Sequence, residues 1–485
     1  MMKKQVNSLK QDITSNTEMV RLWLLLLAVA VVTAEGWISK FHLVNSTKDG
    51  GSSSKSFSSI EISPPFQRQW RKMDLEVERL DKKLSLLLDE SRSKETNETV
   101  GDKRFKVVCY FTNWAWSRKG NGKFLPEDID TNLCTHVIYA FASLDARNLE
   151  IKVSEPNADI HNKFYKRIAS LAQKGVKVSM GLGGWVDSSG DKYSRLVKNS
   201  ASRAHFVRQV VGFIEKYGFT GLDLDWEFPA FPHKAYSPRS PASDKHGFAM
   251  LVAELSAAFK PRRWRLSAAV SQDSVVIDGA YDVPSLSQHL DWIGLMAYDY
   301  HGSWDHRTGH IAPLYHHAGD VNPHFNVDYS INYWLAKGLR NDKLVVGIPM
   351  YGKSFTLASP RNNGLNAPIK GPGRGGPITN SRGTLAFYEI CAAVRRDHWK
   401  TKRESDGSMG PYAFKGDQWV SYDDISDIEK KIQLIKSKGL GGGMIWAPDF
   451  DDFKNTCGCG RYPLLTALSS TLNGGPAPRV RNCAS

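Results

Sequence analysis

From Phe105 onward, short runs rich in Val, Ile, Leu and aromatic residues alternate with longer amphipathic stretches, and no other feature restricts the fold so tightly. The candidate strands are 106–112, 136–141, 176–182, 221–227, 266–271, 292–298, 344–349 and 441–446. Phe206, Val207, Val210, Val211, Phe213 and Ile214 show helical spacing directly before the fourth run, and 425–437 does the same before the eighth. Eight strands mostly separated by helices predict an α/β fold, the (β/α)8 TIM barrel. The stretch between the seventh and eighth runs is too long for one helix. Residues about 356–424 hold Gly/Pro-rich turns and a second set of aromatics, including Phe387, Tyr388, Tyr412, Phe414 and Trp419. They predict a small α+β insertion. A doubly wound open sheet is the alternative, but no GxGxxG follows the first run. With 41% hydrophobic and 24% charged residues, wholesale disorder, a fibre and a multi-span membrane protein are excluded.

The fourth run carries the chemistry. Successive side chains on a strand alternate faces, so Asp223, Asp225 and Glu227 share one face while Leu222, Leu224 and Trp226 take the other. In a barrel one face is the lumen, which points three acids inward toward the C-terminal mouth, spaced roughly 6.6 Å apart. Burying like charges is costly unless protons or hydrogen bonds are shared, and a merely structural strand has no reason to accept that cost. The outermost acid, Glu227, is expected to keep its proton near neutrality because Asp225 beside it is anionic, and so to protonate a leaving oxygen. The nucleophile is then a second carboxylate or the substrate itself.

These residues resemble the DxxDxDxE signature of glycoside hydrolase family 18, the chitinases and chitinase-like lectins, and the resemblance runs from about Phe105 to Leu468. Five further segments match in order, each at the end of a predicted strand: Cys109 to Trp114, Gly183-Gly184-Trp185, Met296 to Gly302, Gly347 to Gly352, and Gly443 to Ala447. The chain looks most like the animal chitinases that carry the α+β insertion. The resemblance implies substrate-assisted retaining hydrolysis of chitin or chitooligosaccharides, in which the sugar's 2-acetamido oxygen attacks its own anomeric carbon while Glu227 protonates the glycosidic oxygen. Asp225 would orient the acetamido group, Asp223 would hold or exchange its proton, and Tyr298 would hydrogen-bond the acetamido oxygen. Met296 and Asp299 would shape the cleft, Trp446 would floor it, and Tyr110, Phe141, Gly184, Trp185, Trp304 and Tyr351 would line further subsites. The family also implies a Cys109–Cys134 disulfide and a bond from Cys391 to Cys457 or Cys459. Four departures stand out: Thr220 for the first Asp of the signature, Val186 after Gly-Gly-Trp, Lys353 where Arg is common, and Phe228 for Tyr. None touches Glu227, so activity is expected, with affinity altered. The rival is a chitin-binding lectin that no longer cleaves, but inactive relatives usually lose the acid or its neighbours, and all three acids stand.

The N-terminal part points outside the cell. Residues 22–34 form an unbroken apolar run preceded by Lys3, Lys4, Lys10 and Arg21. Thirteen residues reach about 20 Å of a roughly 30 Å hydrocarbon slab, so a cleaved signal and a retained type II anchor both remain open. Either exports the chain beyond residue 34. Asn45-Ser46-Thr47 and Asn97-Glu98-Thr99 are glycosylation sequons, and the six cysteines form an even count suited to disulfides. Cys457 and Cys459 are too close to bond each other comfortably. Residues 35–103 read as a stalk: a Gly/Ser-rich linker, then Phe66, Trp70, Met73, Val77, Leu80, Leu84 and Leu87 on a heptad seam over 66–87 that suits self-association through a coiled coil. The catalytic domain is expected over 104–470 and a tail over 471–485.

The net charge of +14 is dispersed among acids, with no nucleic-acid fold signature, so no nucleic-acid partner is expected. No cofactor or metal is expected either: there is no HExxH, and His301, His306 and His310 lack ligand register.

Overall fold

The computed structural model describes residues 105–231, 242–474 and 483–484. The apolar run at 22–34, the two sequons, the heptad seam at 66–87 and most of the tail lie outside them. Among the described residues no helix is long and apolar enough to cross a membrane.

Eight parallel strands close into the expected barrel: Lys106–Thr112, His136–Leu144, Lys177–Gly183, Gly221–Asp225, Arg265–Val270, Trp292–Leu295, Leu344–Pro349 and Gly442–Trp446. Each pairs with its chain neighbours, and the last pairs with the first. The alternation predicted from sequence sorts the side chains. On the first strand Val108 and Tyr110 enter the lumen cluster with Ile138, Trp292, Val345 and Met444, while Val107, Cys109 and Phe111 join the outer core beneath the helices. On the fourth strand Leu222 and Leu224 face that outer core, and so does Trp226 just past the strand's end; Trp226 stacks on Tyr193 at 5.3 Å. That leaves the lumen to the acids.

Local signals set the helices. Ser200–Tyr217 starts where the Asn199 side chain accepts from the Ser202 amide and stops at Gly218, whose φ of 76° suits a residue without Cβ. Its Phe206, Val210 and Ile214 are buried one turn apart. Ile425–Ser437 is capped by Asp424 and buries Ile428, Ile432 and Ile435. Each such side chain contributes roughly 1.5–3 kcal/mol of transfer free energy.

The insertion between the seventh and eighth barrel strands is a six-stranded antiparallel sheet with one helix, Phe387–Arg395. Its central strand, Tyr351–Leu357, comes after the seventh barrel strand with a single residue between them. The insertion therefore begins near 351, five residues before the sequence-based boundary. The chain stays extended and apolar through Met350 and Tyr351, so no loop marks the junction. Its own small core holds Phe355, Leu357, Tyr412, Phe414 and Trp419.

Cys109 bonds Cys134, as the resemblance implied. Cys391 bonds Cys457, and Cys459, for which the sequence offered no definite partner, bonds Cys483. Thr220 donates its hydroxyl to Val178 O at 3.0 Å, tying the entry of the fourth strand to the third, away from the acids.

Candidate active site

The lumen-facing acids rise in order toward the mouth. Asp223 lies deepest, held by two neutral donors: the Tyr110 hydroxyl at 2.7 Å from the first strand and the Ser267 hydroxyl at 2.6 Å from the fifth. Burial pushes its carboxyl up to about 6 against those hydrogen bonds. Asp225 comes next. Burial first, then the charges of Glu227 and Asp223, raise it well above the carboxylate range, and its Oδ1 accepts no hydrogen bond from any described residue. Glu227 sits two residues beyond the end of the strand, and burial followed by the charge of Asp299 pushes it up to about 8. The sequence predicts an anionic Asp225 that keeps Glu227 protonated. Burial does most of it, Asp299 adds to it, and the repulsion between Glu227 and Asp225 raises the pair together. Among the described residues no Lys or Arg bonds any of the three.

Above the acids opens a cleft of about 1020 Å³ whose lining includes Asp225, Glu227, Tyr298 and every predicted subsite residue: Tyr110, Phe141, Gly184, Trp185, Met296, Asp299, Trp304, Tyr351 and Trp446. Asp223 lies beneath it. Trp446, at the end of the eighth strand, stands across the barrel from the fourth. Its ring stacks on Phe141 at 5.9 Å and 20° and meets Tyr110 at 5.4 Å. Gly183 and Gly184 explain themselves here. A Cβ on Gly183 would collide with Asp225 O, one on Gly184 would meet the Phe141 ring at 2.7 Å, and both have positive φ. The exposed indoles Trp185 and Trp304, each about half accessible, stand on loops after the third and sixth strands, on either side of the strand that carries the acids.

On the far wall Asp299 accepts from the Tyr351 hydroxyl at 2.6 Å and pairs with Lys353 at 2.9 Å. The Lys353 ammonium also lies 5.3 Å from the Trp304 ring. Lys353 thus keeps the charge its position calls for, on a single carboxylate oxygen. Val186 lines the cleft and is largely exposed. Three residues that the sequence does not mark as site residues also act at the site: Trp114, Gln272 and Ser188. Trp114 lay in plain view inside the Cys109–Trp114 match and now lies 6.3 Å from Trp446. Gln272 donates to Tyr298 O at 3.1 Å, and Ser188 accepts from the Glu227 amide. Neither carried a signal, because each acts on backbone from a loop.

Ala140–Phe141, Glu227–Phe228 and Trp446–Ala447 are cis peptide bonds, each beside a cleft residue. As for metals, one group among the described residues has ligand-like spacing, Cys391, Cys457 and Cys483, and all three sulfurs are spent in disulfides.

Residues 106–451 match the family described as Glycosyl hydrolases family 18. Among curated proteins, the chain is 54% identical over 376 residues to "Probable chitinase 10" of Drosophila melanogaster, a match that covers 78% of this chain and only 16% of that much longer protein. Among solved structures it superposes on a mutant of Ostrinia furnacalis Group II chitinase catalytic domain 2 in complex with penta-N-acetylchitooctaose (TM-score 0.77, 51% identity, 79% of this chain and all of that one). It also superposes on human YKL-39, described as a pseudo-chitinase with retained chitooligosaccharide binding (TM-score 0.69, 39% identity, 76% and 99%).

Proposed function

The chain belongs to glycosyl hydrolases family 18, and from that premise we propose that it is an endo-acting chitinase, with Glu227 as the acid that protonates the glycosidic oxygen. One observation carries the reading: a buried carboxyl at the centre of an aromatic cleft, held up to about 8 and so protonated at neutral pH. A solvated glutamate would have lost that proton near pH 4 to 5. The nucleophile in this reading is the acetamido oxygen of the bound N-acetylglucosamine, and retention results because the anomeric carbon is attacked twice. Asp225, with one carboxylate oxygen unspent, orients the acetamido N–H and balances the positive charge of the oxazolinium ion. Asp223 takes or returns the proton that Asp225 exchanges, and Tyr298 supports the acetamido oxygen. Trp446 and Phe141 offer stacked ring faces under the sugar. Indoles on both sides of the acid support binding along a polymer and cleavage within it.

The lectin reading draws on YKL-39, a relative described as a pseudo-chitinase with retained chitooligosaccharide binding properties. The intact acids weigh against it. Hydrolysis of a chitooligosaccharide by the protein and by Glu227→Gln separates the two: turnover by the former alone supports the chitinase, and binding without turnover by either supports the lectin.

The same reading extends to the segments outside the described residues. The apolar run at 22–34 exports the domain, as a signal or an anchor, the sequons carry glycans, and the heptad seam at 66–87 brings stalks together. Sedimentation of the full chain with and without Leu80→Lys and Leu84→Lys tests the last point; an unchanged monomer would remove it.

A further inference from the structure

Glu227 must present its proton at a fixed place, yet it sits where the strand that fixes Asp223 and Asp225 has already ended. Past Asp225 no ladder bond holds the backbone. One buried hydroxyl does that work. Ser188 Oγ accepts from the Glu227 N–H at 2.8 Å and approaches Asp225 O at 3.4 Å, where it donates. The Ser188 amide is in turn bonded to Gly184 O at 2.9 Å, and the Gly184 amide donates to Asp225 O at 2.8 Å. The four residues close a ring that ties the end of the fourth strand to the loop after the third. Ser188 is 4% exposed, so its hydroxyl is committed to protein backbone. Trp226, between the two held residues, is fixed from the other side by its stack on Tyr193.

A hydroxyl suits this place because it accepts and donates at once, and a buried N–H left without an acceptor is costly. We propose that Ser188 is a positioning residue for the proton donor: it fixes the backbone of Glu227 and so the height of its carboxyl over the cleft, without touching the sugar. The inference rests on the reading of Glu227 as the acid. Misplacing a reacting group by about 1 Å costs roughly a hundredfold in rate, while binding, spread over many aromatic contacts, is left alone.

The test is Ser188→Ala. The expected result is a fall in kcat on a chitooligosaccharide of about ten- to a hundredfold. The Kd of the same sugar, compared between Glu227→Gln and Ser188→Ala/Glu227→Gln, stays within about twofold. Ser188→Thr, which keeps the hydroxyl, returns most of the rate. Should the Ala variant not fold, Ser188→Cys keeps the volume, weakens the acceptor and carries the same expectation. An unchanged kcat, a parallel loss of kcat and affinity, or equal losses in Ala and Thr would each overturn the proposal. Hydrogen exchange at the Glu227 amide reads the bond without turnover. Faster exchange in Ser188→Ala of a protein whose wild type does not cleave would count against the chitinase reading and leave the Ser188 contact standing; unchanged exchange would sink the contact itself.

Discussion

Two groups of acids among the described residues, one at the barrel mouth and one at the edge of the insertion, are treated differently. Asp223, Asp225 and Glu227 fill the barrel mouth, while Asp423, Asp424 and Asp427 lie where the insertion returns to the helix Ile425–Ser437 that leads into the eighth barrel strand. The second trio is matched by cations. Lys431 pairs with Asp423 with both groups out of water, and Arg403 forks across Asp424 and Asp427 at 2.6 Å to each. Burial pushes Asp423 up to about 6 and Asp424 to about 7, but on Asp427 the guanidinium outweighs burial and holds it below the usual range. The first trio receives only hydroxyls from the described residues. Burial pushes Asp223 up to about 6 against two of them, and Asp423 up to about 6 against the Lys431 ammonium. A hydroxyl, however, adds no charge, so the mouth must hold protons where the junction holds counter-ions. At these two places the junction is neutralised by cations, and the mouth is left short of them.

The sharpest break of that contrast is removal of the junction's cation. Lys431→Met strands Asp423 as a buried unpaired charge and should cost about 3–5 kcal/mol in urea unfolding, while Lys431→Met with Asp423→Leu recovers most of it. Equal stability of the single and double variants would mean the pair is not what compensates the site. Next comes the same kind of change in the mouth. Asp225→Asn replaces a carboxyl that burial holds well above the carboxylate range, so it should not lower the unfolding free energy at pH 7, and it should cut chitooligosaccharide turnover by at least about a hundredfold. A stability loss matching that of Lys431→Met would erase the distinction.

A smaller effect runs the opposite way to intuition. Glu227 titrates near 8 in the folded chain and near 4.5 when exposed. Below about 4.5 both states carry the proton and the residue costs nothing. Between 4.5 and 8 the unfolded chain releases it and the folded chain does not, so stability falls as pH rises through that window. Gln stays neutral throughout. Glu227→Gln should therefore be more stable than the parent at pH 7, by roughly 1–3 kcal/mol, and equal to it at pH 4. Thermal unfolding at the two pH values decides it.

How far the sequence reached is governed by the same physics. Barrel strands are buried on both faces and so appear as nearly continuous apolar runs, which is why all eight were legible to within a few residues. The acid ladder was legible because a period of two in a closed sheet has a single inward face. The features that escaped act through backbone or over distance. The fourth run reads as 221–227, but the strand ends at Asp225, and the residue that then holds Glu227 is a serine in another loop. Lys431 sits among Glu429 and Lys430 and reads as one more exposed charge, yet it is 1% accessible, because its partner is brought in by the returning insertion. The Cys459–Cys483 bond could not be chosen from spacing, since six cysteines admit many pairings and only the fold selects one.

The last and smallest effect lies on a mouth residue that does have a cation. After burial, the charge of Asp299 helps to raise Glu227, and Lys353 sits on Asp299 at 2.9 Å. Removing the ammonium leaves the negative charge of Asp299 unopposed, which strengthens the hold of Glu227 on its proton. The alkaline limb of kcat/KM, set by deprotonation of Glu227 near pH 8, should then move upward in Lys353→Gln by less than about one pH unit, with Lys353→Arg close to the parent. An unmoved limb would show that Lys353 acts through the bound sugar and its neighbour Trp304, and that the proton stored at the mouth answers to burial rather than to the Asp299–Lys353 pair.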